Sequence, residues 1–137
     1  MKGARGNRLN TPSTTALSNP ERIARRLREL LEALPPQQLP ITYAQAAQAL
    51  KLTPPQTIHR VAQALEWSMQ DDAAADRPLM AAAVVSRARG GLPAPGFFAC
   101  AERLGLYCGA TDGEQAREFH RQQLESWRLS MHVQGEN

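Results

Sequence analysis

Between Pro40 and Leu65 the chain reads I-T-Y-A-Q-A-A-Q-A-L, then K-L-T-P-P, then Q-T-I-H-R-V-A-Q-A-L. This stretch constrains the fold more than any other. Two alanine-rich segments carry apolar residues at helical spacing, and the paired prolines between them remove backbone donors and forbid one continuous helix. Helix, turn, helix is the expected arrangement. Two short helices joined in this way, with a basic and polar outer face on the second, are the commonest scaffold for reading duplex DNA.

Residue types and spacing set the faces of these helices. Ile41-Thr42-Tyr43 is β-prone, Thr42 is placed as an N-cap, and Tyr43, Ala46, Ala47 and Leu50 share an inner face. Thr53, with the prolines behind it, is expected to restart the chain as a third helix. Its expected inner stripe is Ile58, Val61, Ala62, Leu65 and Met69, which leaves His59, Arg60, Gln63 and Glu66 facing outward.

An earlier helix is expected from Ser18 or Asn19, with Pro20 in its first turn and Ile23, Leu27, Leu30, Leu31 and Leu34 at helical spacing. Arg22, Arg25, Arg26 and Arg28 then mostly face water, near Glu21, Glu29 and Glu32, and a solvated face explains them better than a phosphate site. Pro35, Pro36 and Pro40 end that helix.

Beyond the third helix, Asp71, Asp72 and Asp76 are expected to be solvated at a helix end, and Leu79–Val85 to form a buried strand. Arg87–Gly96 is too rich in glycine and proline for regular structure and is expected to be a loop. A short helix with Phe97, Phe98, Ala101 and Leu104 follows, then a link containing Tyr107 and Cys108. The last helix, from about Gly113 to Trp127, is expected to bury Ala116, Phe119, Leu124 and Trp127.

With 137 residues, one core is expected. The fold class is mainly α with a small β component (α+β), a single winged helix-turn-helix-like domain over residues 20–130 with a C-terminal helical extension. In that arrangement the Arg87–Gly96 loop is the wing, although no second wing strand is evident. Residues 1–19, dominated by Gly, Asn, Ser, Thr and Pro, are expected to be an unstructured basic tail, and residues 131–137 a flexible end.

The net charge is +3 and the isoelectric point about 9.3, a mild bias toward an anionic partner. Lys2, Arg5 and Arg8 precede the first acidic residue, Glu21, so the tail can lie along phosphates. No apolar run follows these basic residues and no later stretch is long enough to cross a membrane, so a cytoplasmic location is expected. Cys100 and Cys108 are too few for a secreted disulfide framework and are expected as free thiols.

Thr42-Tyr43-Ala44-Gln45-Ala46-Ala47 and His59-Arg60-Val61-Ala62-Gln63-Ala64 resemble two motifs of the O6-alkylguanine DNA alkyltransferase and alkyltransferase-like family. The first is like its T-Y-x-x-[IL]-A segment and the second like its recognition-helix R-A-V-G-x-A. The similarity covers roughly Ile23 to Phe98 in order of parts and implies a winged helix-turn-helix that binds DNA. In that family the tyrosine helps to rotate a phosphate and the arginine opening the second motif enters the base stack. By position those roles fall on Tyr43 and His59, with Arg60 one place along.

One departure removes a chemistry. Aligning Pro78 with the proline that starts the family's strand sets Val84-Val85-Ser86-Arg87 against its reactive P-C-H-R. Alkyl transfer needs a thiolate activated by an adjacent histidine, which Val85 and Ser86 do not supply. The resemblance therefore implies binding without transfer. The Pro78–Arg87 segment with the G-G-L-P-A-P-G-F-F loop is also similar to bacterial sequences that pair such helices with this loop.

The candidate DNA contacts are Tyr43, Thr57, His59, Arg60, Gln63, Arg87 and Arg89. Each has a plainer alternative: Tyr43 as a core-closing tyrosine, the third-helix residues as an exposed face, the two arginines as a solvated loop. No catalytic residue, cofactor or metal site is expected. Cys100, Cys108 and His120 match no tight zinc spacing, and Ser86 lacks a nucleophile elbow. Duplex DNA is the expected partner. The alternative is a protein-interaction adaptor that uses the apolar loop Leu92–Phe98, which requires Phe97 or Phe98 to be exposed.

Overall fold

A computed structural model describes residues 19–136, with side chains through residue 131. The expected basic tail with Lys2, Arg5 and Arg8 lies outside the described residues. Helix α1 (Asn19–Ala33) opens on Asn19 and Pro20, whose fixed φ suits a first turn, and turns Ile23, Ala24, Leu27 and Leu31 inward. Leu27 and Leu31 are fully buried, each worth roughly 2 kcal/mol by transfer from water. Helix α1 packs along α3 (Thr57–Ala74).

Strand β1 (Ile41–Thr42) leads directly into α2 (Tyr43–Ala49). The Thr42 hydroxyl accepts from the Gln45 N–H at 3.0 Å and the Gln45 side chain accepts from the Thr42 N–H at 2.9 Å, a reciprocal capping box. Tyr43, Ala46, Ala47 and Leu50 are buried as expected. Helix α2 closes with Lys51 in the left-handed region and the Leu52 N–H bonded back to Ala47 at 3.1 Å. The turn to α3 includes a cis Pro54–Pro55 bond.

Helix α3 departs from expectation at both ends. Its cap is Gln56, left-handed and without a side-chain hydrogen bond, rather than Thr53, whose carbonyl instead accepts from Arg60. The buried stripe is Val61, Ala64, Leu65, Ser68, Met69 and Asp72. Ile58, expected inside, is 51% exposed, and Ala62 only half-buried. Helical periodicity does place Ile58 with Val61 and Leu65, but it sits in the first turn, where the buried stripe has not yet begun. At the other end the helix continues through Ala74, so Asp72 belongs to the stripe and is fully buried rather than solvated.

Two of the α1 arginines expected to face water reach partners outside their own helix. Arg26 donates to the Leu50 carbonyl at the end of α2, and Arg28 donates to the Asp72 carboxylate at 2.7 Å. Asp72 also accepts from Arg77 at 3.0 Å and from the Met80 N–H at 2.9 Å.

The Leu79–Val85 segment is buried as expected, yet it is not one strand. Met80–Ala83 winds into a 3₁₀ turn and only β2 (Val84–Val85) is extended. The reason lies in its hydrogen bonds: Gln123 accepts from the Leu79 N–H at 3.1 Å and Asp72 from that of Met80, so side chains replace a strand ladder. Strand β2 pairs in parallel with β1, Ile41 opposite Val84 and Thr42 opposite Val85.

The segment after β2, expected as an irregular wing, contains a 3₁₀ turn at Arg87–Arg89 and no strand. Gly90 and Gly91 follow at φ +66° and +93°, a conformation that favours glycine, and the Ser86 N–H bonds back to the Leu92 carbonyl at 2.8 Å. Helix α4 (Pro95–Arg103) begins inside the expected loop, because proline is suited to a first helical turn. Helix α5 (Gly113–Glu136) extends past Trp127 to Glu136.

Helices α4 and α5 complete the core. Phe97 and Phe98 meet edge to face with centroids 5.0 Å apart, and Tyr107 lies 4.8 Å from Phe119. Ala116, Leu124 and Trp127 are buried, Phe119 only partly. The described residues are mainly helical, with one small two-stranded sheet among them. No helix among the described residues is long and apolar enough to cross a membrane.

Candidate nucleic-acid interface

The parallel pairing of β1 with β2 sets Thr42, at the start of α2, beside Val85. It therefore brings Ser86 and Arg87 to the front of α2, where the first turn of α3 also arrives. Between these parts lies an open cleft of about 440 Å³ lined by Thr42, Gln45, Gln48, Ile58, Ser86 and Arg87, with Tyr43 and Val85 at its floor. It contains a cation, several hydrogen-bonding groups and one exposed aliphatic side chain. No carboxylate lines it.

Two other clefts of similar size are different in charge. One of about 420 Å³ between α1 and α3 is lined by Glu21, Glu29, Glu32 and Asp71 besides Arg25 and Arg28. One of about 400 Å³ beside α5 is lined by Glu114 and Glu118 with Tyr107 and Phe119. An approaching polyanion is repelled by such carboxylates and finds none in the α2–α3 cleft. No protein-family model, curated protein or solved structure matches this chain. The site is therefore argued from its own residues.

Of the residues expected as contacts, Arg87 and Tyr43 belong to the cleft. Arg87 is exposed at its margin. Tyr43 is 7% exposed, and its hydroxyl accepts from the Ala94 N–H at 2.8 Å, which fixes the residue that caps α4. Burial pushes the Tyr43 phenol above its ordinary value, and the Ala94 hydrogen bond opposes that shift. Its hydroxyl is thus committed to the fold.

The remaining expected contacts are dispersed. His59 and Gln63 are exposed on the outer face of α3, His59 about 100° around the helix from Ile58. Thr57 is half-buried at the helix start. Arg60 is half-buried and donates to the Thr53 carbonyl at 2.9 Å, so it holds the turn. Arg89, expected as a free wing arginine, donates to the Thr111 carbonyl and ties the loop to the α4–α5 connection.

Gln48, Ile58 and Ser86 were not singled out from the sequence as contacts. Gln48 had a signal in its position on the face of α2 opposite Ala46 and Ala47. Ile58 had none, because it was assigned to the inner stripe of the third helix, and Ser86 was weighed only as a nucleophile.

The apolar loop expected as an adaptor surface is turned inward: Leu92 and Pro93 are buried, and Phe97 and Phe98 are 3% and 1% exposed. Cys100 is buried beside the Glu66 carbonyl at 3.8 Å, and burial raises its thiol above the ordinary value. Cys108 is exposed, and His120 is buried with Nε2 donating to the Ala82 carbonyl at 2.8 Å. Among the described residues, no group of three or more His, Cys, Asp and Glu side chains is placed to hold a metal.

Proposed function

We propose that this chain is a cytoplasmic, non-enzymatic protein that binds duplex DNA with the α2–α3 pair acting as a helix-turn-helix of the alkyltransferase-like type. The observation that carries this reading is the carboxylate-free cleft between α2, α3 and Arg87, beside clefts that are rich in carboxylates. A duplex presents one negative charge per about 1.7 Å of its axis, so a surface lined by no carboxylate suits it better than one lined by several. Arg87 and the exposed Lys51 of the adjoining turn supply positive charge at this end of the molecule.

Two residues support the reading without a chemical step. Val85, buried in β2, occupies the position that the resemblance assigns to the reactive cysteine. The Cys100 thiol lies in the core, where its raised value disfavours the nucleophilic thiolate. The resemblance assigns phosphate rotation to Tyr43 and stack insertion to His59. The committed Tyr43 hydroxyl argues against the first role, and the exposed His59 remains available for contact.

A titration at low and raised salt, comparing plain duplex, single strand and duplex carrying an O6-alkylated guanine, tests the reading. Duplex binding should weaken steeply with salt, and Arg87→Ala should reduce the salt slope by about one. Binding that ignores both salt and that substitution overturns it. Tighter binding to the alkylated duplex would define the protein as a lesion reader.

A further inference from the structure

Arg89 is a cation with little to hold it. A guanidinium carries several N–H donors, yet among the described residues that of Arg89 donates only to the Thr111 carbonyl, and its Nε is buried with no partner. No carboxylate pairs with it among these residues. A buried donor left unpaired destabilises the arrangement that leaves it so, and calls for a reason. We propose that Arg89 is a latch that exchanges partners, holding Thr111 in the free protein and turning to a phosphate oxygen when a duplex occupies the α2–α3 cleft. This inference rests on the DNA-binding reading above.

The position of Arg89 suits that exchange. It shares a 3₁₀ turn with Arg87, which lines the cleft. Its charge also reaches the Tyr43 phenol at the cleft floor, where it lowers a value that burial raises more strongly. The bond from the Ser86 N–H to the Leu92 carbonyl pins the base of the loop, while within the loop Gly90 and Gly91 have open space around them. Movement is thereby left to the segment that carries the two arginines. A phosphate accepts two parallel, charge-assisted bonds from a guanidinium, which are stronger than one bond to a neutral carbonyl. Contact with a duplex therefore favours release from Thr111.

Two measurements on the full chain test the exchange. In a salt titration, Arg89→Ala should reduce the slope of duplex affinity by about one, as the loss of one phosphate contact does. Arg89→Lys keeps a point charge for phosphate and should retain most of the slope. In nuclear magnetic resonance spectra, the Asp112 amide shares its peptide group with the Thr111 carbonyl and reports the donor that reaches it. Duplex should move the wild-type Asp112 resonance toward its position in free Arg89→Ala, where that donor is absent. Thermal melting verifies that the variants are folded, and Arg89→Gln, which also removes the charge, serves for the slope if Arg89→Ala does not fold.

A slope unchanged by loss of the Arg89 charge, or an Asp112 resonance that duplex leaves in place, overturns the latch while duplex binding stands. A wild type that binds no duplex at low salt overturns the DNA-binding reading and the latch together.

Discussion

Arg28 of α1 donates to Asp72 of α3 at 2.7 Å, and the carboxylate that receives it is fully buried. Arg77 and the Met80 N–H complete the set of donors, so this one side chain joins α1, α3 and the segment that leads into β2. A buried carboxylate is tolerated only when its lone pairs are satisfied, and here they are.

Replacing Asp72 by Ala leaves Arg28 and the Met80 N–H without their acceptor, and should cost about 3–5 kcal/mol of unfolding free energy. Asp72→Asn keeps an acceptor for Met80 and should cost less. Denaturant unfolding of both variants checks this, and a loss below about 1 kcal/mol in Asp72→Ala would show that the cluster contributes little.

Tyr43→Phe removes the acceptor of the Ala94 N–H at the start of α4. Stability should fall by about 1–2 kcal/mol, while duplex affinity of the folded variant stays unchanged. A large drop in affinity without loss of stability would instead assign the hydroxyl to phosphate contact.

His120 makes stability depend on pH in a defined direction. Burial holds its imidazole below the ordinary value, with Arg128 acting in the same sense and the Ala82 hydrogen bond opposing them. The unfolded chain therefore takes up this proton more readily than the folded one. The contribution is fully present above about 6.5, the ordinary imidazole value, and is lost as pH falls through the lowered folded value. Unfolding free energies measured at pH 7 and below should show this decline in the wild type and a shallower one in His120→Gln.

Asp76 occupies the left-handed region at φ 59°, where it ends α3 with the Arg77 N–H bonded back to Asp72 at 2.8 Å. Asp76→Gly relieves the strain of a β-carbon there, offset in part by greater freedom of the unfolded chain. Stability should rise by about 0.5 kcal/mol, read as an increased melting temperature, and a decrease would mean that the exposed carboxylate contributes more than the strain.

Much of the local structure is legible in the sequence. Thr42 as a cap, Tyr43, Ala46, Ala47 and Leu50 as the inner face of α2, and Cys100 as a core residue follow from capping chemistry and helical spacing. These signals are local: each depends on residues a turn or so away. They also carried the first helix, the helix–turn–helix order and the mainly helical class.

The tertiary structure decided where charge and exposed apolar surface ended up. Asp72 looked like a solvated acid until Arg28 and Arg77 met it, and Arg89 like a free wing cation until Thr111 lay within reach. Ile58 fitted the inner stripe by spacing, yet the core ends one turn short of it. Spacing along a helix tells which residues share a face, whereas burial depends on which distant segment covers that face. By itself the sequence determined the order of the helices and most of their inner faces; the pairing of β1 with β2 decided that Arg87 joins Gln48 and Ile58 in one cleft.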